Sequence, residues 1–141
     1  MSEEYRCTHS YLLGIPPDTT AKTTPIQQEI TSLLPKDKKI IFSSGDNSKF
    51  LPIGESNFSV IIETIFSIEQ DICFVILGAN KKNSFWKQLK GRYKDNLLLL
   101  EPLPYDKYIS CLKKADIVID SFPIGGGTAI IDAINHNIPV L

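Results

Sequence analysis

Asp120-Ser121-Phe122-Pro123-Ile124-Gly125-Gly126-Gly127-Thr128 decides the fold, because it joins a short apolar run to an amphipathic one. Ile117-Val118-Ile119 before it has the β-branched character of a strand, and Thr128 to His136 after it reads as a helix. Three consecutive glycines between them let a backbone come close to a ligand, since no Cβ intervenes. The first amides of a helix have no internal partner and suit an anion such as phosphate. The competing reading of the glycines is a tight turn that needs positive φ.

The same alternation of strand and helix extends upstream. Lys39 to Ser44 is a short β-rich run ending at Gly45, and Phe58 to Gln70 follows as a helix. Ile61, Ile62, Ile65, Phe66 and Ile68 give that helix its apolar face. Ile72 to Leu77 is apolar throughout, as a parallel strand buried on both faces requires. A lysine-rich helix is expected around Phe85 to Lys90, then a strand at Leu97 to Leu100 and a helix at Tyr105 to Lys114. A last strand is expected at Ile138 to Leu141, with Asn137 in the left-handed position closing the preceding helix. The pattern predicts an α/β protein with a Rossmann-like parallel sheet and helices on both faces. Residues 1–37, with Pro16, Pro17, Pro25 and Pro35, read as an irregular lead-in carrying one helix around Thr24 to Leu34. Residues 38–141 form the regular domain.

Composition narrows the function. The 141 residues are 43% hydrophobic and 22% charged, which is globular, and a net charge of -1 excludes the basic footprint of a general nucleic-acid binder. Cys7, Cys73 and Cys111 lie far apart and read as reduced thiols, which with an acidic, polar amino terminus points to the cytoplasm. No apolar run approaches the roughly 20 residues that span a bilayer. There is no Gly-x-x-x-x-Gly-Lys loop, no Gly-x-Gly-x-x-Gly after the first strand, no Asp-x-Asp pair for a divalent metal and no nucleophile elbow.

In a parallel sheet ligands sit at the carboxyl ends of the strands, which singles out the loops after Ser44, Leu100 and Asp120. Thr128 adds a hydroxyl donor, and Asp132, one turn on, suits a ribose diol or else is a solvated helix aspartate. Ile130, Ala133 and Ile134 are expected to face the sheet. Lys49 offers a point charge to a diphosphate. Tyr105 and Tyr108 either stack on a nucleobase or pack their own helix. His136 sits where a helix dipole favours a charged imidazole, a capping role rather than a catalytic one; His9 in the lead-in has no definite role.

Ala115 to Pro123, followed by Gly125-Gly126-Gly127-Thr128 and Asp132, resembles the donor-binding half of GT-B glycosyltransferases, closest to the O-linked N-acetylglucosamine transferase type and its bacterial protein-glycosylating relatives. Leu13-Gly14-Ile15-Pro16 and the phrase from Phe42 to Pro52 with Lys49 also look like that family. The resemblance covers about residues 11 to 141 and is specific near Lys49 and from Ala115 to Leu141. It implies that Lys49 contacts the donor diphosphate and stabilises the leaving group in place of a metal ion. It implies that Gly127, Thr128 and Ala129 hold the diphosphate, with Gly126 in the donor-binding set beside them, and that Asp132 holds the ribose. Leu103, Tyr105 and Tyr108 complete the donor-binding set, although the family's histidine and arginine positions hold Tyr108 and Cys111 here. The implied substrate is a nucleotide diphosphate sugar, a UDP-sugar first, with a protein or glycan acceptor and no cofactor. An amino-terminal GT-B domain and the last helices of the family are not in the sequence, so a fragment without turnover of its own is expected. The alternative is a non-catalytic nucleotide-binding or interaction module of the same fold. A Rossmann dehydrogenase fragment ranks last, since Ser43 to Asn47 lacks the fingerprint glycines.

Overall fold

A computed structural model describes residues 32–141. Most of the helix expected around Thr24 to Leu34 lies outside the described residues, as do His9, Cys7 and most of the lead-in; its last residues, 32–34, form a turn and a bend. Four strands form one parallel sheet in the order β3-β2-β1-β4: β1 Lys39–Ser44, β2 Ile72–Leu77, β3 Leu97–Leu100 and β4 Ile117–Val118. Lys39 lies opposite Ile72 and Ser44 opposite Leu77, so β1 and β2 pair over their whole length. The intervening helices are α1 Phe58–Ile68, α2 Ser84–Tyr93, α3 Tyr105–Leu112 and α4 Gly127–Asn135.

Side chains of each strand alternate between two cores. Ile40, Phe42, Cys73, Val75 and Val118 pack with Tyr108, Ile109 and Leu112 of α3 and Ala133 of α4. Ile72, Phe74, Ile76, Leu97 and Leu99 pack on the other face with Phe58, Ile62 and Phe66 of α1 and Trp86 and Leu89 of α2. Helices therefore cover both faces, and the apolar run of β2, buried at all six positions, is the strand shared by both cores. Cys73 and Cys111 are buried thiols, and burial pushes the Cys111 thiol up to about 11.

Several boundaries differ from expectation. Helix α1 stops at Ile68, where Glu69 turns extended, and Ile68 is 80% exposed: two residues past buried Phe66, it points to the opposite side of the helix. Ile134 is also exposed, because among the described residues nothing covers that flank of α4, while Ala133 is fully buried and Ile130 partly so. The strand expected at Ile138 to Leu141 is reduced to one parallel bridge between Val118 and Val140. Asn137 does adopt the left-handed conformation, at φ 56°. No helix among the described residues is long and apolar enough to cross a membrane.

A candidate donor cleft at the carboxyl ends of the strands

The loops after the strands are tied to one another before they can form a site. Gly45 N donates to Leu77 O at 3.1 Å, and Gly78 N donates to Leu100 O at 2.8 Å. Gly78 has φ 98°, and a Cβ on it would lie 1.8 Å from the Gly45 carbonyl oxygen, so only glycine fits between the first two loops. A 3-10 turn, Asn47–Phe50, follows β1, with Asp46 capping it through the Ser48 amide at 2.9 Å. The Ser48 hydroxyl and amide together hold the Asp46 carboxyl below its usual range. Phe50 anchors that turn in the core against Phe58 and Trp86, and the Trp86 indole donates to Asn47 Oδ1 at 2.7 Å. Lys49 is thereby held above the sheet, its Nζ 3.3 Å from the Gly125 carbonyl oxygen.

The glycine loop is organised by Asp120. Its Oδ1 accepts from both Ser121 N and Gly126 N at 2.7 Å, and the Ser121 hydroxyl donates to Ile124 O at 2.8 Å. The loop contains a cis Phe122–Pro123 bond. None of Gly125, Gly126 and Gly127 has positive φ, which removes the reading of this run as a left-handed turn. The Gly126 amide is engaged by Asp120, although Gly126 itself lines the cleft described below. The unengaged amides at the start of α4 belong to Gly127, Thr128 and Ala129. A Cβ on Gly127 would meet nothing within 4 Å.

These loops enclose a cleft of about 450 Å³, within the range of small-molecule sites. All nine residues singled out from sequence line it: Lys49, Leu103, Tyr105, Tyr108, Gly126, Gly127, Thr128, Ala129 and Asp132. Ser44, Asp46, Gly78 and Pro102 also line it and were missed, as was Asp120 beneath it. Gly45-Asp46 and Gly78 stand directly after apolar strand runs, the signal that would have found them. A larger groove of about 740 Å³ lies at the opposite, amino end of the sheet, between Leu34, Lys38, Lys114 and Asp116. Among the described residues no helix amino terminus opens onto it, and the placement of ligands at strand carboxyl ends favours the smaller cleft.

Asp132 is not a solvated helix aspartate: it is 2% exposed, and Tyr105 Oη donates to its Oδ1 at 3.0 Å. Asp132 Oδ2 and the Tyr108 hydroxyl are buried without a hydrogen-bond partner among the described residues. Burial first, then the Asp132 charge, raises the Tyr108 pKa, so this phenol stays protonated; it faces Ser44 and Asp132 without bonding geometry to either. The Tyr108 ring packs 6.2 Å from Phe42 and is 8% exposed, which makes it a wall of the core rather than a stacking platform. Tyr105, 46% exposed, is the ring open to the cleft. Cys111 is fully buried and does not reach the cleft. His136 does cap α4 through its backbone, but burial lowers its pKa, with Lys113 acting in the same direction, so it is not the charged cap expected from the helix dipole.

No family model matches the chain, and no curated protein matches it. Solved structures do match. A mutant O-GlcNAc transferase of Thermobaculum terrenum superposes with a TM-score of 0.63 at 16% identity, over 89% of this chain and 23% of that one. A glycosyltransferase involved in lipopolysaccharide biosynthesis gives 0.59 at 14%, over 89% and 35%. A UDP-GlcNAc 2-epimerase from Neisseria meningitidis, bound to UDP-GlcNAc, gives 0.58 at 17%, over 82% and 29%. This chain has the Rossmann-like fold of one half of a GT-B enzyme. It spans between 23% and 35% of the length of those three proteins.

Proposed function

We propose that this chain is the donor-binding portion of a glycosyltransferase that moves a sugar from a nucleotide diphosphate sugar, a UDP-sugar, to a protein or glycan acceptor. One observation carries the reading. The amino terminus of α4, the Lys49 ammonium and a buried carboxylate with an unpartnered oxygen converge on a single cleft. The spacing suits a nucleoside diphosphate: anion at the helix start, ribose one turn further at Asp132, base towards Leu103 and Tyr105.

In the reaction an acceptor hydroxyl attacks the anomeric carbon as the bond to the β-phosphate oxygen breaks. Negative charge grows on the departing diphosphate. The Gly127, Thr128 and Ala129 amides, the Thr128 hydroxyl and Lys49 are fixed where that charge develops, and donors aimed in advance need no reorganisation as it does. In this reading a second GT-B domain supplies the acceptor site and the group that takes the acceptor's proton. The chain alone binds donor without turnover. A non-catalytic nucleotide-binding module of the same fold would share the cleft and differ only in lacking transfer when the second domain is present.

The test is calorimetric titration of the purified chain with UDP, GDP, ADP and inorganic phosphate. UDP is expected to bind tightest, with Lys49→Ala weakening it about tenfold, as loss of one charged hydrogen bond does. Asp132→Asn should weaken UDP and leave phosphate unaffected. A folded chain that binds none of the three nucleotides, or binds phosphate as tightly as UDP, rules the proposal out.

A further inference from the structure

Asp132 and Tyr105 stand 27 residues apart in sequence, on different helices, and meet at the floor of the cleft through one hydrogen bond. Tyr105 opens α3 and Asp132 stands in the middle of α4. The two oxygens of the carboxylate are unequal: Oδ1 accepts the Tyr105 hydroxyl, while the buried Oδ2 accepts nothing from the described residues. A vicinal diol presents two hydroxyls to such a carboxylate, one for each oxygen. Oδ2 has no bond to give up to the first. The second meets Oδ1 already bonded to the Tyr105 hydroxyl.

We propose that Tyr105 is a specificity-determining plug of the ribose subsite, its hydroxyl holding Asp132 Oδ1 until a 2′,3′-diol takes its place. This deepens the function proposed above and rests on Asp132 receiving the ribose. Tyr105 is suited to moving and Tyr108 is not: the Tyr105 ring is 46% exposed, whereas Tyr108 is locked beneath it with the rings tilted 47° at 5.8 Å. Once displaced, the Tyr105 ring lies at the cleft rim, where a nucleobase offers a flat apolar face. A sugar with a single hydroxyl in that position uses Oδ2 and leaves Tyr105 where it is.

The two sugars therefore respond differently to loss of the Tyr105 hydroxyl. A ribonucleotide no longer has a hydrogen bond to break, so it binds more tightly. A 2′-deoxynucleotide never broke that bond, so its affinity does not change. The experiment is calorimetry of the parent and Tyr105→Phe with UDP and 2′-deoxy-UDP, with thermal melts to show that both chains are folded. Tyr105→Phe is expected to tighten UDP about tenfold and leave 2′-deoxy-UDP unchanged, the magnitude being that of one hydrogen bond to a charged group. Tyr105→Leu, which also removes the ring, should give UDP a smaller gain than Tyr105→Phe, because the face offered to the nucleobase is lost with it. Weaker UDP binding by Tyr105→Phe, or an equal change for both nucleotides, overturns the plug. If Lys49→Ala still weakens UDP in that case, the donor site stands and only the plug falls. If no folded chain binds either nucleotide, both fall together.

Discussion

Gly127 is where folding and ligand binding come apart, and Gly127→Asp separates them by sign. A Cβ at this position meets no atom within 4 Å, and the residue is the exposed first position of α4, so the substitution introduces no clash. A carboxylate in the first turn of a helix is stabilising by about 0.3–1 kcal/mol through the helix dipole, and leaving glycine removes a further entropic cost. The melting temperature of a domain this size should rise by a few °C. The same carboxylate stands where the proposed diphosphate would approach the Gly127, Thr128 and Ala129 amides. Two unit charges held about 4 Å apart at an effective dielectric of about 20 repel by about 4 kcal/mol. The open side of the cleft admits water and screens that by about half, leaving about 2 kcal/mol, or roughly 30-fold in affinity. Differential scanning fluorimetry reads the first effect and titration calorimetry with UDP the second. A variant that binds UDP as tightly as the parent refutes the placement of the diphosphate at α4. A variant that melts lower refutes the argument that this glycine is there for a ligand.

Four other outcomes are expected. Gly78→Ala should prevent folding or cost more than about 4 kcal/mol, because its Cβ would lie 1.8 Å from the Gly45 carbonyl oxygen at φ 98°, and yield of soluble chain with a thermal melt reads it. Tyr108→Phe deletes a buried hydroxyl without a partner and should be neutral or stabilising by up to about 1 kcal/mol in urea unfolding; a loss larger than that would mean the hydroxyl is satisfied. Lys49→Ala should flatten the salt dependence of UDP binding while leaving the melting temperature nearly unchanged, so a parallel salt slope would remove Lys49 from the anion site. His136 has its pKa lowered below 6.5 in the folded chain, so the unfolded chain takes up its proton first as pH falls. Its contribution is present above pH about 6.5 and is lost as pH falls through the lowered folded value; His136→Gln should therefore melt with a shallower acid slope than the parent between neutral pH and pH about 5.

The strand framework was legible because its signals are local. The run Ile72 to Leu77 has no polar position, and only a strand covered on both faces explains that, which is where both cores place it. The exposure of Ile68 and Ile134 was not legible, because a helix's apolar residues do not announce which flank a neighbour covers. The site divides in the same way. Lys49, Gly127, Thr128 and Asp132 follow from a loop position or a helical spacing, and they do line one cleft. The Tyr105–Asp132 hydrogen bond joins two helices that sequence alone cannot orient. Nor could the buried state of Asp132 be read from four-residue spacing, since that depends on α3 lying beside α4.

The glycine run shows how one local pattern can serve two purposes. Three glycines before a helix suggest one purpose, close approach of the backbone to an anion. Their surroundings show two. A Cβ on Gly125 would lie 2.9 Å from Asp120 Oδ2, and one on Gly126 would lie 3.3 Å from Asp120 Oδ1 and 3.2 Å from the Ser121 hydroxyl oxygen. These two glycines make room for the aspartate that ends the strand segment, and its carboxylate then accepts the Gly126 amide. Only Gly127 has open space ahead of it. The consequence is energetic as well as spatial: a carboxylate close behind the loop repels any anion in front of it, and the amide nearest that carboxylate cannot compensate because it is already bonded. A positive charge on the loop is therefore required for a diphosphate to be held there, and the chain supplies it from a different strand end, as Lys49 with its ammonium 3.3 Å from the Gly125 carbonyl oxygen. In this arrangement Lys49 and Asp120 act on the same loop with opposite sign, so replacing Asp120 by asparagine should raise affinity for inorganic phosphate as well as for UDP, provided the Gly126 amide keeps an oxygen acceptor. Phosphate titration of Asp120→Asn decides it: tighter binding supports the balance of charges, and weaker binding by a folded variant means that the carboxylate acts mainly by shaping the loop.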